Sequence, residues 1–378
     1  MKSTFLIPSA LRHEEGRRAF LSGLALLTAL GILVLGMLAE ASLTALTASA
    51  SPLTERYVLS GEKVEISDLA GAVRIVPATG NQTEVIVTRG GRDADQLNVL
   101  RDQVAGTARL RIGFHGSRLV YPARESRGRT TVSVDRDGCL PGKHGLNWRR
   151  VTITSGGTGP QAWADLEVRV PRGQRTVIRL GVGRAEARQV DADLSLDMAS
   201  SCFVGQDTKG HLLVDTGSGS VSLDGHRGEV AVDTGSGSVE VTDIVGPSLH
   251  VDTGSGSVRG SGVQVDDLLA DTGSGGVRLA SVRAGKISVD TGSGGVVLDL
   301  LNGPGTVMVD TGSGGVTITG PARLDAEVEL DSGSGGIEVD YPISHVRREH
   351  GYMAGVLGNG GARIHVDTGS GSIHLLSR

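Results

Sequence analysis

The sequence predicts an all-β chain wound as a single-stranded β-solenoid (a β-helix) of about ten rungs, preceded by an N-terminal signal or transmembrane helix. Three observations carry that prediction. The first is composition: 58 of 378 residues are Gly, while Phe, Trp and Tyr number four, two and four. Glycine at this level marks collagen, disorder or a repeat with glycine turns. Collagen needs Gly at every third position, which this chain lacks. Disorder does not fit a chain that is 38% hydrophobic with many apolar residues alternating with polar ones. The second observation is repetition. The segment Val-Asp-Thr-Gly-Ser-Gly-Ser/Gly-Val recurs with its Asp at Asp215, Asp233, Asp252, Asp271, Asp290, Asp310, Asp331 and Asp367. The gaps run from 18 to 21 residues, with one of 36 before Asp367. The third is a period of two within each copy, the period of a strand.

The amino-terminal segment, residues 1–50, reads as a signal peptide or membrane anchor. Residues 19–39 form a run of 21 residues without a charge, long enough to cross a bilayer as a helix. Lys2, Arg12, Arg17 and Arg18 precede it, which keeps that side cytoplasmic and places the rest outside the inner membrane. Ala48-Ser49-Ala50 has the small-residue pattern of a cleavage site, and Arg17-Arg18-Ala19-Phe20-Leu21 resembles a twin-arginine export signal. Membrane association through residues 19–39 depends on the segment staying uncleaved. Either fate predicts a bacterial cell-envelope protein, exported across or anchored in the inner membrane on its periplasmic or extracellular side.

Residues 51–160 read as an N-terminal β region with a basic insertion. Ile66-Ser67-Asp68-Leu69-Ala70-Gly71-Ala72-Val73 has the outline of the repeat without its glycines. Residues 109–150 interrupt the pattern with ten Lys and Arg, among them Arg109, Arg111, Arg118, Arg129, Arg136, Arg149 and Arg150. This stretch reads as a solvated loop or as a patch for an anionic polymer or lipid headgroup.

Residues 161–378 read as a solenoid of ~19-residue repeats. Fainter copies lead into it, with Asp197 lying 18 residues before Asp215 and Arg179 a further 18 before that. In a full unit, Val230, Val232 and Thr234 face one way and Ala231 and Asp233 the other. Gly235-Ser236-Gly237 then turns the chain, and Val239 and Val241 resume the inward face. So short a unit cannot bury its own apolar face, but stacked units about 4.8 Å apart share one core. The glycines suit a corner that needs positive φ and leaves no side chain against the next coil. Thr216, Thr234, Thr253, Thr272, Thr291, Thr311 and Thr368, with Ser332, predict a ladder of hydroxyls. The 36-residue gap holds Tyr341, His345, Arg347, Arg348, His350 and Tyr352, read as a cover for the end of the solenoid or as an anchor for a partner.

Asp-Thr-Gly-Ser also occurs in aspartic proteases, but those need two such loops in two lobes sharing a proton. Seven tandem copies and one Asp-Ser-Gly-Ser do not build that arrangement. Stacking instead lines up the repeat carboxylates, with neighbours repelling by about 1 kcal/mol in water. Hydrogen bonds from each glycine turn, or a row of cations such as calcium, would relieve this. Cys139 and Cys202 lie in no C-x-x-C pair, so zinc is not indicated; an exported chain could join them in a disulfide. No catalytic, cofactor or metal residues are assigned.

Three stretches resemble the bacterial putative-adhesin family of unknown function. They are Val64–Val76, Leu166-Glu167-Val168-Arg169-Val170-Pro171, and the ending from Gly355 through Ile364-His365-Val366-Asp367-Thr368 to Leu375. The resemblance spans roughly residues 55–378, implies β-strand repeats behind a signal or membrane segment, and has no catalytic residues to carry over. Net charge is −5, divided into +6 for residues 1–210 and −11 for the remainder, which suggests surfaces with different partners. The reading is a non-enzymatic envelope adhesin or interaction scaffold, with an envelope polymer, lipid or protein as partner. Export excludes nucleic acid. The alternatives are an envelope-stress sensor that binds lipid or peptide, and a carbohydrate-active enzyme on a β-helix.

Overall fold

The computed structural model describes residues 53–123, 128–141 and 149–378. The candidate membrane segment 19–39 and part of the basic insertion (Arg124, Arg127, Lys143 and Trp148) lie outside them. Among the described residues no helix is long and apolar enough to cross a membrane. The regular secondary structure of the described residues is all strand, apart from a short 3-10 turn at Ala94–Gln96. It is a β-solenoid.

The repeat residues form coils because alternate side chains have somewhere to go. In one coil, Val230–Thr234 makes one long side and Val239–Thr242 the other, joined by the Gly-Ser-Gly corner. Val232 pairs in parallel with Val214 below and Val251 above. Val241 pairs likewise with Leu223 and Gly260. A third, short ladder of single bridges runs through Asp191, Lys209, Arg227 and Val245. The aliphatic side chains from both long sides meet in one buried core, with Val214, Val232, Val251, Leu223, Val241 and Leu279 each at most 3% exposed.

The coils stack in a definite order. Lys63–Pro77, Arg175–Arg188 and Asp193–Gln206 come first, each a single strand running through the corner. Six coils follow, with first sides ending at Thr216, Thr234, Thr253, Thr272, Thr291 and Thr311. The last two exchange places relative to the sequence. Ala362–Thr368 lies on Thr306–Thr311, and Ala326–Ser332 stacks beyond it. The 36-residue gap therefore is a detour: the chain lays down the outermost coil, turns back, and fills the space beneath it.

Both ends are covered. Thr107–Phe114 pairs with Lys63–Ser67 and carries Leu97–Val104 as a hairpin. Trp163–Val170 pairs with Val73–Pro77, and Thr83–Gly90 and Leu53–Leu59 extend it antiparallel. At the far end Tyr352–Leu357 pairs antiparallel with Ala326–Asp331, with Ile343–Glu349 outside it. The Tyr/His/Arg segment is thus the end cover. A separate sheet of Arg118–Val120, Arg149–Thr154 and Arg129–Val134 packs Leu119, Val132 and Ile153 into the main core.

The corner glycines do not take positive φ, contrary to the expectation. The repeated positive φ falls at the other corner, at Gln189, Asp207, Gly225, Asp243, Gly262 and Ser281, with values between 51° and 73°. The Gly-Ser-Gly corner needs glycine for closeness instead. A Cβ on Gly237 would lie 1.8 Å from the Gly219 carbonyl oxygen, and one on Gly256 the same distance from that of Gly237.

Candidate interaction surface

The outward face of the first side carries columns of identical position set by the register. The main column runs Asp197, Asp215, Asp233, Asp252, Asp271, Asp290, Asp310, Asp367 and Asp331. The predicted alignment of the carboxylates is therefore real, although the last two appear in reversed order. Burial raises the pKa of Asp215, and the charges of Asp197 and Asp233 add to the effect. Asp271 is raised by burial and then by Asp252 and Asp290.

The turns do not relieve this repulsion. Among the described residues, the hydroxyl of the following buried Thr takes the role expected of the Asp. Thr253 Oγ1 accepts from Gly256 N–H at 2.9 Å and donates to the Gly237 carbonyl at 3.1 Å. Thr291 repeats this with Gly294 and Gly275, and Ser332 with Gly335 and Gly371. The expected hydroxyl ladder is thus a hydroxyl-to-carbonyl ladder that links each coil to the one before it. The aspartates remain directed to solvent, and among the described residues no group of three or more Asp, Glu, His or Cys is arranged to hold a metal ion.

At its start the column changes sign. Arg179 pairs with Asp197, Ser67 pairs with Arg179, and Arg111 pairs with Ser67. The neighbouring column runs Arg109, Glu65, Val177, Ser195 and Leu213. Arg179 NH1 lies 3.4 Å from Glu65 and its Nε 3.6 Å from Asp197, and its side chain is 12% exposed. Lys63 Nζ donates to Glu65 at 2.6 Å. Burial acts to raise the Glu65 pKa, but the Lys63 hydrogen bond and the Arg179 charge outweigh it and hold the carboxyl below its usual range. Arg111 bonds Asp135 at 3.0 Å and Asp102 at 2.9 Å, and Arg109 Nε lies 3.0 Å from Asp102.

Lys63, Glu65, Arg109, Arg179, Asp197 and Asp215 line a groove of about 730 Å³ walled by Asp135 and Pro141 of the insertion and by Val104 and Thr107 of the end hairpin. No short motif announces it, because Lys63, Arg109, Arg179 and Asp215 come from four separate stretches. One signal was present: Arg179 occupies the Asp position of its faint repeat.

The other sequence-level candidates separate. Within the basic stretch, Arg109 and Arg111 are engaged by carboxylates, and Arg149 donates to the carbonyl of His115. Cys139 and Cys202 are both free thiols, and burial pushes that of Cys139 up to about 12. No disulfide joins them: Cys139 sits in the insertion beside Asp135, and Cys202 on the third coil. Arg347 packs over the Tyr352 ring at 5.5 Å and pairs with Glu349, so the end cover binds itself together.

Two crystal structures are similar. One is of a putative cell adhesion protein from Clostridium sporogenes, with 12% identity over 86% of this chain and 100% of that one and a TM-score of 0.24. The other is of a putative adhesin from Bacteroides fragilis, with 10% identity over 87% and 98% and a TM-score of 0.31. No curated protein matches. The family described as Toastrack DUF4097 matches residues 152–376, which takes in the coils from Arg175 onward and more than half of the chain. With that match over the stacked repeats, the chain belongs to the Toastrack DUF4097 family.

Proposed function

We propose that this protein is a non-enzymatic component of the bacterial cell envelope, an adhesin or interaction scaffold. Residues 1–50 would export or tether it, residues 51–160 would form the N-terminal β region, and residues 161–378 would present the repeats on the periplasmic or extracellular side. The observation that carries this reading is the in-register outward face. It offers the same carboxylate at nine successive layers on a frame with a continuous core. Such a surface suits an extended partner, whether envelope polymer, lipid assembly or protein, better than a single reaction centre. Membership of a β-repeat family fits the same role.

The test is fractionation followed by retention on isolated envelope material. The full chain is expected in the membrane or exported fraction, and to be retained on envelopes. A soluble cytoplasmic protein with no envelope retention would overturn the proposal. The sensor reading draws on the basic insertion or the Tyr/His/Arg segment, and neutralising Arg129, Arg136 and Arg150 would separate it from the scaffold: unchanged liposome binding counts against the basic insertion.

A further inference from the structure

The short third side of the coils carries a second groove, of about 550 Å³, crossing the successive layers of Val245, Gln264, Arg283 and Asn302. Its floor is the register column Gly246, Val265 and Ala284, with Val265 6% and Ala284 5% exposed. Gln264 and Asp266 flank Val265 along one strand and face outward. Arg283 pairs with Gln264 on the next layer. A loop walls one end. Between the pairs Val282–Leu300 and Lys286–Thr306, residues 283–285 of one coil stand opposite residues 301–305 of the next. The longer segment loops out and brings Asn302 to the groove.

The polar groups here are open. The cations of the charged groove already hold carboxylates, but among the described residues no hydrogen bond or ion pair holds the side chains of Gln264, Asp266, Arg283 or Asn302, and all four are exposed. Arg283 can only donate, Asp266 can only accept, and the two carboxamides do both. A ligand that satisfies all four has to donate and accept along its length. A polyanion would meet Asp266, and a polycation would meet Arg283. A peptide has no strand edge to extend, because Gln264–Thr272 is paired on both sides and Val277–Thr291 is paired in turn with Thr306–Thr311. Sugar hydroxyls both donate and accept. The apolar floor of Val265 and Ala284 suits the C–H face of a sugar ring.

We propose that this groove binds a neutral polysaccharide chain lying along the solenoid axis. Four layers span about 14 Å, longer than one pyranose ring, so the site takes a chain and not a single sugar. Arg283 donates to its hydroxyls, Asp266 accepts from them, and Gln264 and Asn302 do both. The proposal deepens the scaffold reading by naming the class of envelope polymer, and rests on that reading for its place in the cell. The binding itself is read with purified protein and soluble sugar, so its failure leaves the envelope test untouched.

The test is titration calorimetry of the full chain, in a detergent without a sugar headgroup, against three neutral tetrasaccharides: cellotetraose, maltotetraose and tetra-N-acetylchitotetraose. Tetragalacturonate and deacetylated chitotetraose serve as the anionic and cationic counterparts. At least one neutral chain is expected to bind, and more tightly than either charged chain. Asp266→Ala and Arg283→Ala should each weaken that binding about tenfold, the change expected on losing one hydrogen bond to a charged group. Both positions are exposed and unpaired, so the melting temperature should not move. Asp310→Asn, on the first side of the coils, should leave binding unchanged. No binding of any neutral chain at millimolar sugar, tighter binding of a charged chain, or neutral binding untouched by both Asp266→Ala and Arg283→Ala would overturn the proposal.

Discussion

Each Asp-Thr-Gly-Ser-Gly copy contains a division of labour among its residues. The Thr is buried and bonds two backbone groups, the second Gly permits backbone contact between coils, and the Asp faces out. Thr253→Val removes an acceptor from Gly256 N–H and a donor from the Gly237 carbonyl, at a cost of about 1–3 kcal/mol in chemical denaturation. Thr253→Ser should keep most of that stability. Gly256→Ala should cost more than the Val substitution, because its Cβ would lie 1.8 Å from a carbonyl oxygen that cannot move without shifting the coil beneath. Asp68 occupies the Thr position of the first coil, pairing across Leu180 and Met198 to Thr216. It is fully buried, and burial drives its pKa well above the ordinary value, with Asp165 adding to it. A raised carboxyl binds more protons folded than unfolded, so its penalty is absent below about pH 3.9 and grows above it. Asp68→Asn should therefore raise the melting temperature at pH 7 and leave it unchanged near pH 3.5.

Elements in this fold are stable only through their neighbours, and the coil is the smallest meaningful unit. Leu298 on the second side is fully buried between Leu279 and Ile318. Leu298→Ala should cost about 2–5 kcal/mol, measured by denaturant unfolding. The short third ladder contributes His226, which is buried with its Nδ1 2.9 Å from Thr208 Oγ1. Burial lowers its pKa to about 4. A lowered histidine binds fewer protons folded than unfolded, so stability is full above about pH 6.5 and falls between there and pH 4, by roughly 3 kcal/mol. Equilibrium unfolding across that range should show this acid limb, and His226→Ile, the residue type of the next coil at Ile244, should flatten it. The end cover protects an edge in the same sense. Its outer strand Ile343–Glu349 carries a bulge with His345 at φ 52°, together with exposed Arg347, Arg348 and Glu349, devices that discourage pairing with another chain.

For the molecule as a whole, the carboxylate column sets an electrostatic cost that salt should modulate. Asp271→Asn should raise the melting temperature at low ionic strength, and the gain should shrink at about 0.5 M salt, where the screening length falls to a few ångströms. A chelator should leave the melting temperature unchanged, since the coils are held by the hydroxyl-to-carbonyl links and the aliphatic core. A drop on chelation would indicate structural cations along the column. The charge asymmetry also has a place in the fold: the arginines Arg111 and Arg179 stand at the start of the aspartate column, where they pair with Asp135, Glu65 and Asp197.

The repeat, its inward and outward parity, and the alignment of Arg179, Asp197 and Asp215 were determined by local sequence alone. A period of two and a spacing of 18 to 21 residues leave one way for the apolar residues to share a core. Three features were decided only by tertiary structure. The exchange of the last two coils depends on which open edge the returning strand meets, and neither Asp331 nor Asp367 encodes that choice. The role of the corner glycines depends on backbone contact between coils, which no residue shows by itself. The groove brings Lys63, Arg109, Arg179 and Asp215 together because parallel pairing at long sequence separation places them on adjacent layers, and such pairing leaves no mark within any one strand.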